Sequence, residues 1–247
     1  MTVRAELDGH EFDLATLTRH FPTGDPRIVN DDGRTYLEAT ALDDVFNDGG
    51  QLVATASELL ARLNGHAMLD DAGYRPVKLL NRFVDGPADT HLLVGDQAGV
   101  REHAVVVAAT AEGRLGALVA GVAVDGVPVT PTPTGPRQLA HAAANSDADD
   151  LLALIGNAGA LGWDPLWKAL EIIKVAVGGK APLIATGWVT DDDLDEFGYS
   201  ANHPDANGAD ARHARRPPGG KIPNRTMSIE EGQQFIRDLA RRWLDSL

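Results

Sequence analysis

The chain contains no cysteine. That absence excludes a disulfide scaffold, a thiolate metal site and a cysteine nucleophile. No apolar run approaches the roughly 18 residues needed to span a bilayer, and the start, MTVRAELDGHEF, lacks the charged-then-apolar pattern of a signal peptide. These two absences lead to the expectation of a soluble, cytoplasmic protein without membrane association. Positive charge is scarce: 22 Lys+Arg stand against 36 Asp+Glu, a formal net charge of −14. Such a balance disfavours general binding to nucleic acid or to an anionic membrane. What is present is a globular composition, 247 residues with 43% hydrophobic content. That is enough chain for one large domain or two small ones around a real core.

The first part reads as β-rich. Val3, Ala5 and Leu7 alternate with polar residues, and Asp8-Gly9 offers a tight turn into His10-Glu11-Phe12. A second hairpin is expected from Ile28-Val29 and Tyr36-Leu37 around Asp31-Asp32-Gly33. Thr55 to Leu63 has the spacing of a short helix, with Asn64-Gly65 as its stop. Strand patterns follow at 77–83, 91–94, 103–110 and 115–124, the last two apolar on both faces, as in central strands. The stretch VPVTPTPTGP cannot join a central strand and reads as a connector.

The second part reads as helical. Pro136 suits a first helical position, Ser146 with Asp149 gives a capping signal for 148–155, and Asp164-Pro165 opens a helix carrying the stripe Leu166, Leu170, Ile173 and Val177. Trp167, Ile172 and Val175 widen that stripe, which predicts burial on more than one side. Gly156 and Gly178-Gly179 read as stops. Thr190 with Asp193 caps a short helix ending at Gly198, and Ser228 with Glu231 forms a capping box for the last helix. There Ile229, Ile236, Leu239, Trp243 and Leu247 share one face and Arg237, Arg241 and Arg242 the other. Of the four tryptophans, Trp167 and Trp243 have core spacing, while Trp163 and Trp188 sit at loop ends where they could line a pocket. The expectation is an α+β protein: a mainly antiparallel sheet or open barrel over 1–130, a Pro/Thr-rich connector at 131–136, and a small helical subdomain over 137–247.

Within that subdomain, residues 199–227 form a long segment rich in Gly, Pro, Asn and Asp. Loops of that length are usually functional or disordered. The charge changes sign nearby. From Arg212 to Arg242 there are eight basic residues and three acids. Three readings stay open: disorder, a structural wrap held by Arg–acid pairs, or a site. In the last, Arg212, Arg215, Arg216 and Lys221 would hold an anion, and His203 or His213 would move protons. A metal would need His203 and His213 together with Asp205 or Asp210, a spacing that is not diagnostic, and none is assigned.

Known motifs are missing. There is no His-Glu-x-x-His, no Gly-x-Ser-x-Gly and no nucleotide-binding glycine fingerprint, so no cofactor is expected. Gly178-Gly179-Lys180 and Gly219-Gly220-Lys221 lack the earlier glycine and the following Ser or Thr of a phosphate loop. His203-Pro204-Asp205 copies the tripeptide of J-domain co-chaperones but follows an acidic stretch instead of a basic helix. Ser200-Ala201-Asn202-His203, Ala211-Arg212-His213-Ala214, Met227 to Glu231 and the Trp243-Leu244 ending make the last fifty residues similar to bacterial proteins of unknown function. This resemblance implies that the polar segment and the final helix form one unit, and it implies no activity.

Three functions follow as expectations. The first is a non-enzymatic binding or assembly protein that meets a protein partner or an identical subunit through its sheet edge and basic final segment. The second is an enzyme on an anionic, phosphate-bearing substrate, with an arginine clamp and a histidine acid/base. The third, nucleic-acid binding, conflicts with the acidity of the remaining chain.

Overall fold

The computed structural model describes residues 2–85, 90–93, 122–124, 127–129, 133–215 and 222–247. The strand patterns at 103–110 and 115–121, and part of the proline stretch, lie outside them. The fold is α+β. A five-stranded antiparallel sheet has the order β2-β3-β1-β4-β5, built from β1 (Val3–Asp8), β2 (Arg27–Asp31), β3 (Arg34–Glu38), β4 (Lys78–Asp85) and β5 (Thr90–Leu93). The expected hairpin is β2–β3, paired Ile28 to Leu37 and turned through Asp32 and Gly33, both with positive φ. Val3, Ala5 and Leu7 of β1 point into the core beside Leu37 and Phe83, while Arg4 and Glu6 alternate to the other face. There Arg4 and Arg27 both pair with the buried Glu38. A separate two-stranded ribbon joins β6 (Val122–Val124) to β7 (Val127–Val129).

Asp8-Gly9 does not make a hairpin. The chain enters helix α1 (Glu11–His20), because the His10 side chain accepts from the Phe12 N–H and Glu11 and Asp13 occupy the positive N-terminal turn. Leu14, Leu17 and Phe21 then give helical spacing. A short helix α2 (Thr40–Val45) leads to α3 (Gly49–Asp70), 22 residues where a short helix was expected over 55–63. Asp48 caps α3 through the Gly50 and Gln51 N–H groups.

Asn64-Gly65 does not stop α3. Asn64 instead turns its amide onto the following chain: Oδ1 accepts from Val77 N–H at 3.0 Å and from the Tyr74 hydroxyl at 2.5 Å, and Nδ2 donates to Val77 O at 2.9 Å. Gly65 is a contact point with α5 (Ser146–Asn157). A Cβ there would lie 2.0 Å from Leu152 O, and a Cβ on Gly156 would lie 1.8 Å from Ala61 O. Two glycines that read as stops are thus the places where two helix backbones touch. Asn145, not Ser146, caps α5, accepting from Asp147 and Ala148 N–H.

Helix α4 (Gly135–Ala144) begins at the proline as expected. Helix α6 (Trp163–Ala176) buries Leu166, Leu170 and Ile173 and packs against α5, α8 and α10, but Val175, expected to widen the apolar stripe, is exposed. Gly178 and Gly179, both with positive φ, turn the chain into α7 (Lys180–Ala185). Helix α8 (Asp191–Asn202) has the predicted Thr190–Asp193 capping box and runs past Gly198. The one-turn α9 (Pro204–Asn207) and a 3-10 turn over Gly208–Asp210 follow. Helix α10 (Ile229–Asp245) has the predicted Ser228–Glu231 capping box.

One buried cluster runs from Ala5 and Phe83 in the sheet through Leu17, Leu52 and Leu63 to Leu151, Ile155, Ile173, Ile236 and Trp243. Among the described residues, no helix is long and apolar enough to cross a membrane.

Candidate anion-binding groove

An open groove of about 650 Å³ lies between α6 and α8, with the chain over 203–213 along one side. Its floor is apolar, from Trp167, Leu170, Leu194 and Tyr199, and its rim carries Lys174, Lys180, His203, Arg212 and His213 beside Glu171 and Asp195. The volume suits a small organic molecule. Trp167 is the central wall residue. Its ring is parallel to that of Phe197, with centroids 6.4 Å apart. Two cations lie over the Trp167 ring: the Arg212 guanidinium is 5.1 Å and the Lys174 ammonium 6.0 Å from the centroid. Both distances lie within the range of cation–π attraction.

The cations differ in what already holds them. Arg212 donates its backbone N–H to Ala201 O at 2.9 Å. Its Nη1 donates to Asn202 Oδ1 at 2.8 Å and its Nε to Asp164 Oδ1 at 3.4 Å. Asp164 also pairs with Lys168, and that hydrogen bond holds its carboxyl below the usual range, helped by Arg212. Lys180 is bound to Asp191 at 2.6 Å and Asp195 at 3.2 Å, and the hydrogen bond to Asp191 raises its pKa. Lys174 makes no ion pair among the described residues. It is therefore the cation with charge to offer to a ligand.

His203 is 7% exposed and stacks on Tyr199, centroids 4.3 Å apart and planes 12° from parallel. Its Nδ1 accepts from the Asp205 N–H at 3.3 Å, with Asp205 Oδ2 at 3.7 Å. An Nδ1 that accepts places the proton of the neutral ring on Nε2. His213 is exposed on the rim.

The structure thus brings together Arg212, His203 and His213 from the sequence candidates. Arg215 is exposed and does not line the groove. Arg216 and Lys221 lie outside the described residues. His203, His213, Asp205 and Asp210 do not form a group disposed to hold a metal.

Two expectations are corrected. Trp163 does not line a pocket; it is buried against Gly232, while Trp167 faces the groove. The α10 arginines are not a free polar face. Arg237, 7% exposed, donates from Nε to Met68 O at 3.0 Å, and Arg241 reaches Leu69 O at 2.8 Å and Asp70 O at 3.0 Å. These are the last carbonyls of α3, which lack helical partners. Arg242 bonds Trp188 O at 3.1 Å.

A larger hollow of about 870 Å³ lies among α3, α4 and α5. Arg62, the one Lys or Arg among its lining residues, is taken by both oxygens of Asp149. Comparison with known proteins finds no match: no family model fits the chain, and no curated protein and no solved structure is similar to it.

Proposed function

We propose that the protein is a non-enzymatic binding protein whose ligand is a small organic anion with a flat apolar portion, seated in the α6–α8 groove. The observation that carries this reading is Lys174, without an acidic partner among the described residues, and Arg212, both within about 6 Å of the Trp167 ring. The apolar floor would take the ring or chain of the ligand and the two cations its phosphate or carboxylate. The net charge of −14 favours a ligand met in solution, in the cytoplasm, over a polyanionic surface. A protein partner would fit the same groove by presenting an acidic side chain next to an aromatic one.

Tryptophan fluorescence tests the reading, with phenyl phosphate and benzoate as probes against inorganic phosphate alone. Saturable quenching by an aryl anion is expected. Lys174→Gln should weaken it about tenfold or more, since a hydrogen bond to a charged group contributes about 1.5–3 kcal/mol, and added salt should weaken it further. No saturable response to any of the three, or a response that Lys174→Gln leaves unchanged, refutes the assignment. A second reading, an enzyme acting on a phosphate ester, draws on His203, whose fixed tautomer leaves Nε2–H as a donor. Turnover of phenyl phosphate that Lys174→Gln slows and His203→Gln abolishes would favour it.

A further inference from the structure

Away from the groove, where α1, α3, α4 and α10 meet, a chain of polar groups runs from half-exposed Asp70 through buried His20, His66 and Gln138 to half-exposed Asp245. His66 in α3 is 2% exposed, and His20, the last residue of α1, is buried beside it. His66 Nδ1 lies 2.7 Å from Gln138 Oε1, and His66 Nε2 lies 3.3 Å from His20 Nδ1. At the other side His20 Nε2 lies 3.3 Å from Asp70 Oδ2. Beyond Gln138, its Nε2 meets Asp245 Oδ1 at 3.3 Å, and that same oxygen accepts from Arg137 at 3.1 Å.

The order of hydrogens follows from the Asp245 end. A carboxylate can only accept, so the amide nitrogen of Gln138 faces Asp245 and its carbonyl oxygen faces His66. The carbonyl also accepts, so His66 Nδ1 carries a hydrogen and a neutral His66 presents a lone pair at Nε2. His20 must then donate from Nδ1. A neutral His20 is left with a lone pair on Nε2, facing the Asp70 carboxylate. That atom is buried and has no hydrogen-bond partner. Moving the His20 hydrogen to Nε2 only relocates the fault, because two lone pairs would then face each other across the His20–His66 contact. With both rings neutral, one junction of the chain always sets acceptor against acceptor.

We propose that this mismatch makes His20 Nε2 a buried proton-binding site: on acidification the first proton enters there and turns the Asp70 contact into an ion pair, while His66 stays neutral. The alternative, a proton on His66 Nε2, would set two N–H groups against each other. Burial opposes charge on both rings. Around them, α1 contributes Arg19, which repels the cation, and the end of α3 contributes Asp70 and Asp71, which attract it. From α4 come Gln138 and Arg137, and from α10 come Arg241, which repels, and Asp245. The carboxylate at ion-pair distance belongs to His20, which decides between the rings. Through His66, Gln138 and Asp245, the same chain reaches the C-terminal end of α10, so uptake of the proton is felt where that helix docks.

The test is a titration of the intact chain by long-range ¹H–¹⁵N spectroscopy from about pH 8 to about pH 5, the range in which histidine changes charge. The expected result is His66 with its hydrogen on Nδ1 throughout and His20 Nε2 gaining a proton first. Asp70→Asn should lower the pH of the His20 titration by about one unit, the low end of the shift from an opposite charge at this range. Asp71→Asn should lower it less. The proposal is overturned if His66 carries its hydrogen on Nε2 at the alkaline end, or titrates before His20. It is equally overturned if Asp70→Asn leaves His20 unmoved, or if neither ring takes a proton before the chain unfolds.

Discussion

Gly65→Ala and Gly156→Ala set two effects of opposite sign against each other. In a helix interior alanine is favoured over glycine by about 1 kcal/mol, so propensity alone predicts that both substitutions stabilise α3 and α5. The structure predicts the reverse. The new methyl would stand 2.0 Å from Leu152 O at position 65 and 1.8 Å from Ala61 O at position 156, where ordinary contact begins near 3.4 Å. The obstacle is a backbone carbonyl inside a helix, which cannot swing aside like a side chain. Relief therefore requires α3 and α5 to part by well over 1 Å, and a gap of 0.5–1 Å already forfeits about a quarter to a half of each dispersion well. The residues that would lose contact, Leu60, Leu63, Leu151, Leu152 and Ile155, are at the centre of the core. Overpacking of this kind costs about 1–3 kcal/mol or more, and a backbone clash belongs at the upper end. Each single variant should lose about 2 kcal/mol net, or about 4–8 °C in Tm for a chain of this size, read by urea and thermal melts under circular dichroism. Because one separation relieves both clashes, the double variant should cost less than the sum of the singles. Gly159→Ala, with nothing within 4 Å of its Cβ, is the control and should change stability little. A neutral or stabilising Gly65→Ala would refute the close crossing of α3 and α5.

Two further outcomes follow from buried polar groups. Burial, with a smaller contribution from His20, pushes the His66 pKa down to about 4 from 6.5. The unfolded chain therefore binds this proton more readily than the folded one. Stability is fully present above about pH 6.5 and is lost as pH falls towards 4, by up to about 3 kcal/mol; urea midpoints measured across that range should fall with acid, and His66→Gln should flatten the slope. Arg237→Met removes the donor to Met68 O and keeps most of the apolar stem, so it should cost about 1–3 kcal/mol by leaving a buried carbonyl unmet; an unchanged Tm would show that water replaces the guanidinium there.

What the sequence conveyed well was local. The β2–β3 hairpin, the capping boxes of α8 and α10 and the proline-led start of α4 each depend on residues within a few positions of one another. Misreadings came where a distant element decides. Asp8-Gly9 is a good turn in isolation, and α1 follows it because Leu17 and Phe21 have a core to enter. Asn64-Gly65 and Gly198 carry the signature of a helix end, yet α3 and α8 run past them, whereas Gly156 does stand at the end of α5. At Gly65 the absent side chain makes room for the backbone of α5, and at Gly156 for that of α3.

The basic C-terminal segment shows the same limit in electrostatic form. A count of charge cannot distinguish Arg237 from Arg212, since both are arginines in an acidic chain. What separates them is the nearest acceptor. Arg237 and Arg241 reach the terminal carbonyls of α3, groups that a 22-residue helix must leave without internal partners. Once α3 is read as short, ending at Asn64, those carbonyls are not expected at 68–70 and the arginines look free. An error in one helix boundary thus becomes an error about where the protein offers positive charge. The residue that does offer it, Lys174, sits in α6 seven positions beyond Trp167, on the same face of that helix and outside the segment where the basic residues cluster.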